Sequence, residues 1–252
     1  MGDGADVRLT VVGCSGSGPG PASPASCYLV EHDGFTLVLD LGNGAFGSLL
    51  ALTDPAAVDA VYLSHLHADH CLDVAPFIVW HRYSGQSTRT AVPLYAPVGA
   101  DRRLAVAYDL DDGPIEDVFD VTPIGSGDWA LGPFEVSTVR TAHPVECYAV
   151  RLTAGGRSLV YTGDTGPSAD VVTLARGADV LLAEAAYPEA PDLPPGLHLT
   201  GRQAGEHAAA AGVGRLLVTH VPAWVDAEAQ LAAAREVFPA SELARHAGSY
   251  DI

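Results

Sequence analysis

Three histidines and two aspartates fall within nine residues, His65 to Asp73, in the stretch VYLSHLHADHCLD (61–73). Imidazoles and carboxylates are ligands for divalent transition metals, and burying so many titratable groups without partners would be costly. Their spacing divides them. His65 and His67 stand two apart, so an extended segment turns both the same way and sends Leu66 to the opposite face. Asp69 and His70 are adjacent and open the next predicted helix, so they face elsewhere. One pair can serve one metal and the other pair a second. Asp73 and Cys71 have no station in this scheme and are assigned to packing.

Three later positions repeat one layout, an apolar strand ending in a metal-competent side chain. They are His143 after STVRTA, Asp164 after LVYTG and His220 after RLLVT. Strand ends bring distant parts of a chain into one crevice. On this reading His143 can complete the first pair and His220 the second, with Asp164 as the bridging carboxylate. The plainer alternative makes Asp164 a turn residue within TGDTG and the two histidines structural. The donor set suits two divalent ions, Zn²⁺ first, with Mn²⁺ and Fe²⁺ also compatible.

The elements that must position these groups follow from hydrophobic pattern and turn residues. VRLTVVG (7–13) reads as a strand. Two more flank the turn His32-Asp33-Gly34. A short helix is predicted over 45–52, a strand over 58–64, helical periodicity over 69–81, a strand over 91–97 and a helix over 99–110. In the second half, strands are predicted at 134–142, 146–155 and 158–164. A helix in SADVVTLARGA leads to a strand in DVLLAEAAY. Further helices cover 201–212, ending at Gly212, and 226–238, with the strand RLLVTH between them. Early meanders followed by alternating strands and helices indicate an α/β fold of two sheets with helices outside. No linker divides residues 1–252, so one domain is expected.

Composition narrows the partners. The 252 residues carry 31 acidic against 13 basic side chains, a formal net charge of −18. Such a field repels nucleic-acid backbones and anionic membranes. The basic residues are scattered, so duplex nucleic acid and membrane are excluded as partners. A small anionic substrate stays compatible, because metal ions dominate the potential inside a pocket. The four cysteines form no CxxC pair and no disulfide framework. MGDGADVRLT has neither a basic start nor an apolar run, and no 18-residue apolar stretch follows. A cytoplasmic protein is therefore expected.

HLHADH matches the HxHxDH signature of the metallo-β-lactamase fold superfamily. TVVGCSGSG, VLDLG (38–42), AHP around His143, TGDTG around Asp164 and VTH ending at His220 match the fold's other stations in order. The sequence is thus identified as resembling that superfamily over nearly its whole length. The resemblance implies a four-layer αβ/βα sandwich of two mixed sheets. It implies that His65, His67 and His143 hold one metal, that Asp69, His70 and His220 hold a second, and that Asp164 bridges them. Asp40 in VLDLG would support the site from behind.

GCSGSG, TGDTG, LLAEA with Glu184, and LHLTGRQAGEHAAAAGVGRLLVTH resemble the phosphodiesterase branch, which includes the tRNA 3′-processing endonuclease (ribonuclease Z). There the histidine matching His198 sits near the scissile phosphate, as proton donor or phosphate contact. Only 20 residues separate His143 from Asp164, so the long tRNA-binding arm of that enzyme is missing. SPAS-x-YL, LSHLHADHCLD, FIVWHRY and LARGADVLLAEA resemble actinobacterial atypical class II cyclic-nucleotide phosphodiesterases. The activity so implied is hydrolysis of a small phosphodiester, cyclic AMP to 5′-AMP, by a water activated between the metals, with Asp69, Asp164 and His198 in the chemistry. The alternatives are hydrolysis of a small ester, lactone or thioester on the same site, or RNA processing. Members of the branch often dimerise, so a homodimer is expected.

Three segments stand apart from this scheme. GCSGSGPGP lacks the lysine of a phosphate-binding P-loop and is read as a preformed pocket wall. Phe77, Trp80 and Tyr83 in FIVWHRY could flank a purine, but their helical spacing favours core or interface. Trp224, just beyond VTH, is a candidate for the pocket rim.

Overall fold

The computed structural model describes residues 7–87, 91–109 and 115–252. The opening hexapeptide and Leu110, the end of the predicted 99–110 helix, lie outside them. The first half runs β1 (Arg8–Gly13), β2 (Ser15–Gly16), β3 (Cys27–His32), β4 (Phe35–Leu39), α1 (Ala45–Leu52), β5 (Ala60–Tyr62), α2 (Ala68–Cys71), α3 (Val74–Tyr83), β6 (Val92–Ala96) and α4 (Ala100–Ala107). The meander β7 (Phe119–Pro123), β8 (Gly127–Leu131), β9 (Phe134–Arg140), β10 (Tyr148–Ala154) and β11 (Arg157–Tyr161) follows. Then come α5 (Ala169–Leu174), β12 (Val180–Glu184), α6 (Gly201–Ala211), β13 (Arg215–Thr219), β14 (Val221–Pro222), α7 (Ala227–Val237), β15 (Ser241–Leu243) and β16 (Ser249–Asp251).

Two mixed sheets result, ordered β16-β1-β3-β4-β5-β6-β7 and β15-β13-β12-β11-β10-β9-β8. Strand alternation explains the layering. Leu37 and Leu39 of β4 point into the core between the sheets, meeting Val150, Leu152 and Leu159, while Val38 points outward under the helices. Leu49 of α1 and Phe77 of α3 cover the first sheet; Ala204 and Ala208 of α6 and Leu231 of α7 cover the second. The fold is the sandwich of two mixed sheets between outer helices that the motifs implied. No helix among the described residues is long and apolar enough to cross a membrane.

Some boundaries differ from the sequence reading. The helical run predicted over 69–81 breaks into α2 and α3 between Cys71 and Val74. Asp73 sits at the break, and its Oδ2 accepts the amide of Phe46 at 2.7 Å, tying α3 to the start of α1. Short strands β7, β8, β15 and β16 were not anticipated. Phe77 is fully buried in the core, and Trp80 packs against it, whereas Tyr83 is 73% exposed. None of the four cysteines is in a disulfide, and Cys71 is buried.

Candidate metal centre

β4 and β5 run parallel, as do β11, β12 and β13, and β9 is antiparallel to β10, which is antiparallel to β11. The carboxyl ends of β4 and β5, and of β9, β11, β12 and β13, therefore open toward one rim of the sandwich, and β10 runs the other way. Asp40 follows β4; His65 and His67 follow β5; His143, Asp164 and His220 follow β9, β11 and β13; Glu184 ends β12. Side chains separated by more than 150 residues in sequence meet because the sheets place their strand ends together, the situation expected at crevices of α/β sheets.

The first set comprises His65, His67, His143 and Asp164. His65 Nε2 lies 3.0 Å and His143 Nε2 3.3 Å from His67 Nδ1, and His65 Nε2 lies 3.6 Å from Asp164 Oδ2. The second set comprises Asp69, His70 and His220. Here Asp164 Oδ1 is 3.2 Å from His70 Nε2 and 3.4 Å from His220 Nε2, while Asp69 Oδ2 is 3.4 and 3.7 Å from the same nitrogens. The two oxygens of Asp164 thus address different sets. Ligand atoms about 2.0–2.1 Å from a tetrahedral zinc ion lie roughly 3.3–3.4 Å apart, so both spacings suit a divalent ion.

The outer nitrogens of these rings are already committed. His70 Nδ1 donates to Asp40 Oδ2 at 2.7 Å, His220 Nδ1 to Ser26 Oγ at 2.8 Å, His143 Nδ1 to the carbonyl of Leu197 at 3.0 Å, and His65 Nδ1 to Ser64 Oγ at 3.1 Å. That fixes which nitrogen of each ring faces inward, as ligating histidines require. Three inward atoms, His70 Nε2, His220 Nε2 and Asp164 Oδ1, are buried without a hydrogen-bond partner. Orphaned buried polar atoms are rare, and three converging on one point fit a cation. The residues present therefore fit a pair of divalent ions.

Electrostatics agree. Burial alone would raise the Asp164 carboxyl, but the imidazoles of His220, His70 and His65 hold it well below its ordinary range. Burial pushes His220 down to about 4. His65 is also driven well down, first by burial and then by the neighbouring His70. His70 goes the other way: burial opposes its charge, but Asp164 and Asp40 raise its basicity. Most of the set thus presents free imidazole lone pairs and ionised carboxylates near neutrality, the states in which such groups bind metals.

Asp40 accepts four hydrogen bonds: from Ser64 N at 2.6 Å, Ser64 Oγ at 2.8 Å, Tyr161 Oη at 2.7 Å and His70 Nδ1. Asp40 and His220 both have left-handed backbone, φ 56° and 54°. Such conformations cost of order 1–3 kcal/mol in a non-glycine residue; the four bonds to Asp40, and for His220 the bond to Ser26, offset that cost. Ser26, Ser64 and Tyr161 escaped the sequence reading. Ser64, directly before His65, was the one with a visible signal.

The glycine-rich loop builds the wall behind His220. β2 pairs with β14, and a Cβ on Gly16 would lie 2.3 Å from the carbonyl oxygen of His220. A Cβ on Gly42 would lie 2.0 Å from that of Asp69. Gly16→Ala is accordingly expected to cost about 1–3 kcal/mol through forced displacement of a packed backbone and to weaken metal retention. Denaturant midpoints with and without added zinc measure this, and an unchanged midpoint would show that the loop yields freely.

His198 stands at the edge of both sets. Its Nδ1 is 2.9 Å from Glu184 Oε1 and 3.9 Å from Asp164 Oδ2, and it forms a third grouping with Asp164 and His220. Glu184, fully buried, accepts the amides of Thr165, Ala186 and Leu199 at 2.7, 3.1 and 3.3 Å. Burial pushes Glu184 up to about 7 against the lowering effect of its hydrogen bond to His198. Burial would lower His198, but the bond to Glu184 turns the net shift upward. Trp224, 76% exposed, lines a cleft of about 390 Å³ with Pro188 and Gln230.

Residues 37–221 match the family described as the beta-lactamase superfamily domain. The chain is 46% identical over 238 residues to the protein ML1173 of Mycobacterium leprae, covering 92% of this chain and 84% of that one. It is 30% identical over 229 residues to the probable metallo-hydrolase YhfI of Bacillus subtilis, covering 86% and 87%. The crystal structure of YhfI superposes with a TM-score of 0.87 at 26% identity, covering 98% of this chain and 100% of that chain. The short form of human tRNase Z shares the fold, with a TM-score of 0.78 at 19% identity over 97% and 99% of the two chains.

With these matches joined to the two ligand sets, the chain belongs to the β-lactamase superfamily. Within it, this protein is a metal-dependent hydrolase.

Proposed function

We propose that this hydrolase cleaves a phosphodiester bond in a small anionic substrate, a 3′,5′-cyclic nucleotide, converting cyclic AMP to 5′-AMP. In this reading His65, His67 and His143 hold one Zn²⁺, Asp69, His70 and His220 hold a second, and Asp164 lies between them. Two bound divalent ions supply a water of lowered pKa and neutralise charge on the phosphoryl oxygens. The observation that carries the choice of bond is His198. Its Nδ1 is held by buried Glu184 at 2.9 Å, beside the ligand sets. An imidazole so anchored keeps its other nitrogen for the leaving oxygen, and the carboxylate behind it favours the protonated ring.

Two further features support a small phosphodiester. The connection from His143 to Asp164 is the single hairpin β10–β11, with no room for a long arm. The net charge of −18 disfavours a polyanion. The reading joins the chain to the cyclic-nucleotide phosphodiesterases that its motifs resemble, and takes the working unit as a homodimer in the cytoplasm.

The test is a panel with zinc-, manganese- and iron-loaded protein: cyclic AMP, cyclic GMP, 2′,3′-cyclic nucleotides, bis(4-nitrophenyl) phosphate, short RNA and a lactone. Turnover of the cyclic nucleotides, abolished by chelation and restored by metal, is expected. Hydrolysis of the lactone alone would sink the phosphodiester reading.

A further inference from the structure

Gln230 is an amide buried within α7, 2% exposed, and both ends of its side chain reach beyond its own helix. Its Oε1 accepts the amide of Gly201, the first residue of α6, at 2.6 Å. Its Nε2 donates to the carbonyl of Tyr187 at 2.6 Å. These two backbone groups bracket the segment that carries His198. Tyr187 N also donates to the carbonyl of Leu199 at 3.0 Å, and the Tyr187 ring stands edge-on to the His198 ring, centroids 5.2 Å apart. The helices meet at backbone distance here, because a Cβ on Gly201 would lie 2.2 Å from the Gln230 carbonyl oxygen.

We infer that Gln230 is a positioning residue for His198, an inference that rests on the role given to His198 above. Glu184 anchors the ring at Nδ1, but one hydrogen bond does not by itself fix where the second nitrogen points. The direction of the second nitrogen is set by the backbone at 197–199 and by the Tyr187 ring. His143 and Glu184 bond the 197–199 backbone directly, and Gln230 ties both flanks: Gly201 where the segment enters α6, and the Tyr187 carbonyl at the wall beside His198. The segment between, PEAPDLPPG (188–196), is rich in proline and largely exposed, and Glu189 Oε1 adds one tie of its own by accepting the amide of Arg202 at 2.8 Å. A primary amide is required, because the clamp needs one donor and one acceptor at once.

Two variants separate the halves. Gln230→Glu keeps an acceptor for Gly201 but loses the donor and sets a carboxylate against the Tyr187 carbonyl. Gln230→Met keeps the length and loses both bonds. Each is assayed, fully metal-loaded, on a diester releasing 4-nitrophenolate and on one releasing an alkoxide. A poor leaving group depends on the proton from His198, and a good one does not.

The expected result is a loss in kcat of about tenfold or more on the alkoxide ester, since small misplacements of a catalytic group cost up to about a hundredfold. The nitrophenyl ester should change by less than about twofold, metal content should not change, and the loss should vanish in a His198→Ala background. Equal losses on both esters, or a loss that persists without His198, would overturn the inference. If the unaltered protein cleaves no phosphodiester, it is the proposed function that fails. The imidazole nitrogen resonances of His198 then decide the clamp alone: displaced in Gln230→Glu they support it, and unmoved they refute it.

Discussion

Asp164→Asn is expected to abolish turnover and to leave a protein whose melting temperature no longer responds to chelator. Asp164 faces both ligand sets, with Oδ2 toward His65 and Oδ1 toward His70 and His220. An amide offers one oxygen and no charge, so whichever set meets the nitrogen loses its ligand and both lose the anion. Removing a partner merely behind a ligand costs about 10–100-fold in metal affinity, and this change strikes the ligands themselves. Metal content should fall from two ions per chain to one or fewer. In the unaltered protein, an ion present at a thousandfold over its Kd adds about 4 kcal/mol of stability, roughly 10 °C for a chain of this size. That difference between metal-loaded and chelated samples should collapse in the variant. Two retained ions with undiminished hydrolysis would refute the bridging role.

His198→Ala should behave in the opposite way, keeping its metals and its melting temperature while losing about 10²–10⁴-fold in kcat on a cyclic nucleotide, the range for a lost general acid. Glu184→Gln tests the same pair from behind. The carboxylate raises the His198 pKa, so protonated His198 persists to higher pH than it would alone. Turnover that needs that proton is lost as pH rises through the His198 pKa. With a neutral amide at 184 that pKa drops, so the alkaline fall in kcat should begin at lower pH than in the unaltered enzyme. A nearby cation lowers His198 in both proteins alike, so the displacement between the two profiles survives metal loading. Coincident profiles would detach Glu184 from the chemistry.

Much of this arrangement was legible in the residues. α1 begins and ends where its apolar run predicts, and α6 stops at Gly212, which adopts the left-handed conformation of a helix terminus, φ 63°. The hairpin turn lies at Asp33-Gly34, both with positive φ. The strand-end positions of His65, His143, Asp164 and His220 were readable because an apolar run followed by a polar group is a local pattern. What was not readable is what depends on distant partners. β16 exists because Arg8 pairs with Asp251 across nearly the whole chain, and its own three residues carry no pattern. β7 and β8 lie at sheet edges, where polar residues such as Asp120 and Asp128 are tolerated and the alternation fades. The 69–81 periodicity concealed a break, because Asp73 joins α1 through a bond that sequence spacing cannot show. Gln230 gave no signal at all: a glutamine in an alanine-rich helix is ordinary until its partners are known.

The seven ligand candidates are shared unequally between the halves of the sandwich. His65, His67, Asp69 and His70 follow a strand of the first sheet, while His143, Asp164 and His220 follow strands of the second. Neither sheet presents a complete set for either ion. Tight capture of a cation therefore demands that both sheets have already closed on their common core in the correct register. With these candidates as ligands, metal uptake is expected to follow the docking of the two halves rather than the formation of either. A bound ion would then mark a chain that has finished assembling, because a half-built one lacks a full ligand set.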